Sequence, residues 1–62
     1  MDVAALATLL HETSERHGPY EASAPEHHWW DWYAAYMVAR ENGRTPDEAS
    51  AEAAHHMESL LK

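Results

Sequence analysis

The stretch that decides the fold is His27-His28-Trp29-Trp30-Asp31-Trp32-Tyr33-Ala34-Ala35-Tyr36-Met37, which holds all three tryptophans and two of the three tyrosines. At about 100° per residue, most of these rings fall on one helical face, and the pattern predicts a central helix. That face consists of Trp29, Trp30, Tyr33, Tyr36 and Met37, with Trp32 on one flank. The small residues of the opposite face would let another helix approach closely; they are Ala35, Val38 and Ala39.

A first helix precedes this stretch. Asp2 is its candidate N-cap, and Gly18-Pro19 predicts its end. Its apolar stripe is expected to end at an inward-pointing His17, where burial against rings would lower the pKa of the imidazole. Glu12 lies opposite the stripe, within reach of Arg16. The stripe contains Val3, Leu6 and Leu10, with Leu9 and Thr13 on one edge.

Capping signals place the other two helices. The spacing of Ser23 and Glu26 is that of a capping box, which predicts a helix start near Pro25. Asn42-Gly43 predicts the end of that helix, and Thr45-Pro46-Asp47-Glu48 predicts the start of the next. We therefore expect helices near residues 2–17, 25–42 and 46–61.

These signals predict one small domain over residues 1–62. The fold class is all-α, with three short helices in which a helical hairpin follows an N-terminal helix. We expect the core to pack Trp29, Trp30, Tyr33 and Met37 against Leu6, Leu10, Met57 and Leu60. Ala49, Ser50, Ala53 and Leu61 complete the apolar face of the third helix. Because a 62-residue chain buries little apolar surface, we expect dimerisation to complete a helical bundle.

Composition excludes several functions. Eleven acidic residues against four basic ones give a formal net charge of −7, which disfavours nucleic acid and anionic membranes as partners. The absence of cysteine removes disulfides and thiolate chemistry. No apolar run is long enough to span a bilayer and the N-terminus lacks a signal-peptide pattern, so a cytoplasmic protein is expected.

Six histidines raise the question of a metal site. Adjacent histidines on a helix diverge by about 100°, so neither His27-His28 nor His55-His56 can chelate one ion alone. Glu52-x-x-His55 has a di-iron spacing, but both side chains lie away from the apolar face. We therefore expect no metal and no cofactor, and keep as weak candidates His27, His28, Glu52, His55 and His56.

The aromatic face carries the functional prediction. One helix carries five rings, while the other two helices offer only about eight sizeable apolar side chains to cover them, so some rings should stay exposed and bind a partner. Self-association as a homodimer is the favoured interpretation; docking to another domain and a small-ligand or metal site remain open. Enzyme motifs are absent, and we expect no catalysis. The candidate ligand or interface residues are His17, Tyr20, Trp29, Trp30, Trp32, Tyr33, Tyr36 and Met37.

Two blocks of the sequence resemble a known family. They run from Ala24 to Tyr36, around Trp-Trp-Asp-Trp-Tyr, and from Arg40 to Ala49, around Asn-Gly-Arg-Thr-Pro. Together with His17-Gly18 they resemble a small actinobacterial helical domain. That domain occurs alone or fused to glyoxalase/bleomycin-resistance-like (vicinal oxygen chelate) proteins, and is often labelled bleomycin resistance by that association.

This resemblance implies an accessory or ligand-binding role, with a vicinal oxygen chelate-type protein as a candidate partner. It does not imply that fold, whose βαβββ units carry metal ligands on strands, because no strand pattern occurs here. It also supplies no catalytic residues.

Overall fold

The computed structural model describes residues 1–60, which form three α-helices and no strand. Helix α1 spans Val3–Ser23, α2 spans Trp29–Glu41 and α3 spans Pro46–Leu60. The all-α fold class and the three helices predicted from sequence are confirmed. None of the helices in residues 1–60 combines the length and the apolar character that a membrane crossing requires.

Three of the predicted helix ends are confirmed by their hydrogen bonds. Asp2 Oδ1 accepts a hydrogen bond from the Ala5 N–H at 2.7 Å. Thr45 and Glu48 form a capping box, in which Thr45 Oγ1 accepts from the Glu48 N–H and the Glu48 carboxylate accepts from the Thr45 N–H. After α2, Gly43 adopts φ +88°, a left-handed conformation that favours glycine.

The predicted stop at Gly18-Pro19 is wrong, because α1 continues to Ser23 with Pro19 inside it. The ring of a proline normally clashes with the Cβ of the preceding residue and disfavours the helical conformation there. Gly18 has no Cβ, so this clash does not arise before Pro19. The additional turn places Tyr20 against Trp32, with ring centroids 5.8 Å apart. This tertiary contact outweighs the local stop signal.

The predicted start of the second helix near Pro25 is also wrong. Ser23 is already the last residue of α1, so it does not form the expected capping box with Glu26. Residues 24–28 are a non-helical linker, and α2 begins at Trp29 with His28 as its N-cap.

The core lies between α2 and α3, with α1 packed against α2. Its buried residues are Thr13 and His17 from α1, Trp32, Tyr36 and Ala39 from α2, and Ala49, Ala53 and Met57 from α3. Met57 is where the sequence predicts it, and Tyr33 and Met37 pack partly against the core. The core assignment is wrong for Trp29, Trp30, Leu6, Leu10 and Leu60, which are exposed, and Leu61 lies outside the described residues.

The buried face of α2 differs from the predicted core face by a rotation of roughly a quarter turn about the helix axis. The expected core face was centred on the largest rings. In the structure α3 instead packs against the small-residue side of α2, where Ala39 meets the alanines of α3. Close contact over alanines buries the neighbouring Trp32 and Tyr36, and it leaves Trp29 and Trp30 facing solvent.

The two tryptophans on opposite sides of this boundary give a direct test. Trp32→Ala removes a ring that is 1% exposed and should destabilise the fold by about 3–5 kcal/mol. Trp30→Ala removes a half-exposed ring and should change the free energy of unfolding by less than about 1 kcal/mol. Urea denaturation followed by far-ultraviolet circular dichroism measures both. A larger loss in Trp30→Ala than in Trp32→Ala would contradict the observed core.

Candidate functional site

The predicted site residues other than Met37 form one connected cluster of rings with a buried part and an exposed part. Trp32, Tyr36 and His17 are buried; Tyr20, Tyr33 and Met37 are partly buried. Only Trp29 and Trp30 of this set are more than half exposed, at 54% and 51%. The surface of the cluster therefore differs chemically from its interior.

The exposed part, which we call the tryptophan surface, consists of His28, Trp29 and Trp30. The two indoles meet edge to face with centroids 5.6 Å apart, and the His28 ring stacks on Trp30 at 4.5 Å. Trp29 also packs edge to face on Tyr33 at 5.0 Å. These contacts fix the rings at the N-terminal end of α2 without burying them.

A histidine pair lies at the edge of the buried part: His17 is buried, His27 is partly buried, and their Nε2 atoms lie 2.9 Å apart. His27 Nδ1 is 2.9 Å from the carbonyl oxygen of Pro25, which can only accept a hydrogen bond. His27 therefore carries its proton on Nδ1, and its neutral Nε2 is an acceptor. It follows that His17 Nε2 donates to His27 Nε2 when both rings are neutral.

The surroundings of His17 favour the neutral ring. His17 is only 5% exposed, and its ring lies 5.2 Å from Trp32 and 5.3 Å from Tyr33. Burial lowers the pKa of His17 below its ordinary 6.5, and although the Glu21 carboxylate acts in the opposite direction, the lowering prevails. The predicted inward orientation and the direction of the pKa shift are confirmed. The rings that surround it at 5.2–5.3 Å are those of His27, Trp32 and Tyr33.

Glu12 is the residue whose position the sequence mispredicts most clearly. It does not pair with Arg16; its carboxylate accepts from the Tyr36 hydroxyl at 2.6 Å and from Arg40 Nε at 2.7 Å. Arg16 instead bonds Asp47 of α3 at 2.7 Å. The Arg40 and Tyr36 hydrogen bonds lower the pKa of Glu12, and burial together with Glu12 raises the pKa of Tyr36 to about 12.

The weak metal candidates are dispersed. Glu52 lies 3.4 Å from Arg44, and His55 and His56 are exposed on α3. His28 stacks on Trp30, so of the five candidates only His27 lies against another histidine nitrogen. Within residues 1–60, no three histidine, aspartate or glutamate side chains converge on one point. The sequence missed the contact of His27 with His17 because a ten-residue separation across a linker has no periodic signal.

Comparison of the chain with protein-family models, curated proteins and solved structures gave no match. The resemblance to the actinobacterial helical domain therefore stays a prediction.

The Glu12 network predicts a specific pH dependence. A carboxyl whose pKa is lowered by folding contributes stability above its ordinary pKa of 4.5, and this stability is lost as the pH falls through the folded value. Glu12→Gln should therefore be less stable than the parent protein at pH 7, and the difference should shrink towards pH 3. Thermal melts across this pH range measure it.

The matched control is Glu15→Gln, which removes an exposed carboxylate of the same helix beside His11. An equally large change in this control would show that the effect comes from net charge rather than from the Glu12 contacts.

Proposed function

We propose that this chain is a small interaction module that self-associates through the tryptophan surface and carries out no catalysis of its own. The observation that carries this proposal is the exposure of two adjacent indoles, Trp29 and Trp30, on the first turn of a helix. Tryptophan is among the residues most enriched at the energetic centres of protein interfaces.

The rigidity of the tryptophan surface supports this proposal. Rings that are already fixed by their neighbours lose little side-chain entropy when a partner covers them. Trp30 is held by the His28 stack and Trp29 by Tyr33. An isolated tryptophan would have to be ordered on binding, whereas each ring of this pair already packs on a neighbouring ring.

The area of the tryptophan surface limits how strong an association it can support by itself. Two half-exposed indoles offer on the order of 200 Å², whereas a stable interface buries about 800 Å² on each partner. The tryptophan surface is thus the centre of a larger contact or the whole of a weak one. We therefore propose a dimer that forms in the micromolar range and dissociates on dilution.

The negative charge around the tryptophan surface predicts how self-association depends on salt. Glu26 and Asp31 flank it in the chain, and the three arginines in residues 1–60 all form ion pairs with other acids. Two copies that meet through this surface would bring like charges together, and salt screens that repulsion. Self-association should therefore strengthen as the salt concentration rises.

The resemblance supplies a second candidate partner, a vicinal oxygen chelate-type protein, and the bleomycin-resistance association with it. We also propose a cytoplasmic location.

Sedimentation equilibrium from low to high micromolar concentration tests the proposal. The parent chain should shift from monomer towards dimer with concentration, and more strongly at high salt. Trp29→Ala/Trp30→Ala should remain monomeric throughout, because the variant lacks both exposed indoles while its helical circular dichroism is retained. Val38→Ala is the control, since Val38 is an exposed apolar residue of α2 outside the tryptophan surface; it should dimerise like the parent.

A parent chain that stays monomeric at high micromolar concentration would refute self-association. A dimer that persists in the double tryptophan variant would place the interface elsewhere on the molecule.

A further inference from the structure

We propose that His17 and His27 form a binding site for a divalent first-row transition metal ion, held between their two Nε2 atoms. This inference is independent of self-association, since it concerns the buried part of the ring cluster. His17 reaches the site from α1 and His27 from the linker, so the ion would join two segments that are ten residues apart in the chain.

The contacts of the Nδ1 atoms support the site. Metal-binding histidines typically donate their other ring N–H to a carbonyl or a carboxylate, which fixes the ring orientation. His27 Nδ1 is 2.9 Å from the Pro25 carbonyl oxygen, and His17 Nδ1 is 3.4 Å from Glu21 Oε2. His27 thus has the outer partner that leaves its Nε2 as a ligand atom, and Glu21 is placed to become the outer partner of His17 once the His17 proton lies on Nδ1.

The separation of the ligand atoms indicates which ions fit. With metal–nitrogen bonds of about 2.0–2.1 Å, nitrogens 2.9 Å apart subtend an angle of about 90° at the metal. This angle is that of neighbouring positions in a tetragonal site, the geometry that Cu²⁺ and Ni²⁺ prefer with nitrogen and oxygen ligands. A tetrahedral Zn²⁺ ion needs the two nitrogens roughly 3.3 Å apart, so it would bind the same pair after they separate by about 0.4 Å, and less tightly than Cu²⁺.

The surroundings combine a shell of rings around the pair with an acidic cleft beside His27. Trp32 and Tyr33 pack on His17, and the Tyr20 ring lies 5.1 Å from His27. On its outer side His27 lines a cleft of about 480 Å³ together with the carboxylates of Glu26 and Asp31. Carboxylates in a cleft raise the local concentration of cations. Because the protein supplies two ligands, water or an external ligand fills the remaining positions.

Metal binding requires a change of tautomer at His17. Without metal, His17 Nε2–H donates to His27 Nε2, as the Pro25 contact requires. With metal, the His17 proton moves through solvent from Nε2 to Nδ1, where the Glu21 carboxylate accepts it in a hydrogen bond. No net proton is released from a neutral pair, and the tautomer of His17 becomes a direct indicator of binding.

Pulsed electron paramagnetic resonance with one equivalent of Cu²⁺ counts the bound imidazoles. The full chain should show two, and His27→Ala should weaken Cu²⁺ binding by at least the 10–100-fold that follows loss of an outer-shell partner. Glu21→Gln, which keeps both ligands, should weaken it by about 10-fold. The matched control is His55→Ala/His56→Ala, which removes an adjacent exposed pair of α3 and should bind like the parent.

A second measurement needs no variant and covers the case in which His27→Ala does not fold. Two-bond proton–nitrogen spectra of the imidazoles, recorded with and without Zn²⁺ as a diamagnetic probe, report the state of each ring nitrogen. Zn²⁺ should shift Nε2 of His17 and His27 first and convert His17 to the Nδ1–H tautomer. The site is refuted if His17 retains its Nε2 proton, or if the first equivalent shifts only the exposed histidines.

Discussion

The close approach of α2 and α3 is the constraint on which the other packing decisions depend. Ala39 meets Ala49 and Ala53 in the buried core, and side chains of this size let the two helix backbones come near each other. Trp32 and Tyr36 lie next to this contact on α2 and are buried with it, their rings stacked 5.2 Å apart. The alanines therefore decide which aromatic residues are core residues and which remain at the surface.

The position of α1 follows from the same burial. Its contacts with α2 satisfy the buried Tyr36 hydroxyl, which donates a hydrogen bond to Glu12, and Glu12 also pairs with Arg40. A buried hydroxyl without a partner would be costly, so this contact fixes the register of α1 on α2. One turn further along, the same register places His17 and Tyr20 against Trp32.

The ring cluster links the two proposed functions without making them dependent on each other. Tyr33 contacts both the buried His17 and the exposed Trp29, so this one ring joins the histidine pair to the tryptophan surface. The linker contributes to the histidine pair and to the tryptophan surface, because His27 contacts the buried His17 and the adjacent His28 stacks on Trp30. One short segment therefore positions a candidate metal ligand and one edge of a candidate interface.

The sequence by itself determined the features that depend on neighbours along the chain: three helices, the caps at Asp2 and Thr45, the glycine that ends α2 and the inward side of His17. Only the tertiary structure decided that α1 passes Pro19, that Trp32 rather than Trp30 is buried, and that His17 meets His27. The physical reason is that periodicity shows which residues share a face of a helix, but not which of those faces is buried. Which face is buried depends on how closely a second helix can approach. Here α3 packs against the alanine side of α2, and the largest exposed rings, Trp29 and Trp30, stay at the surface.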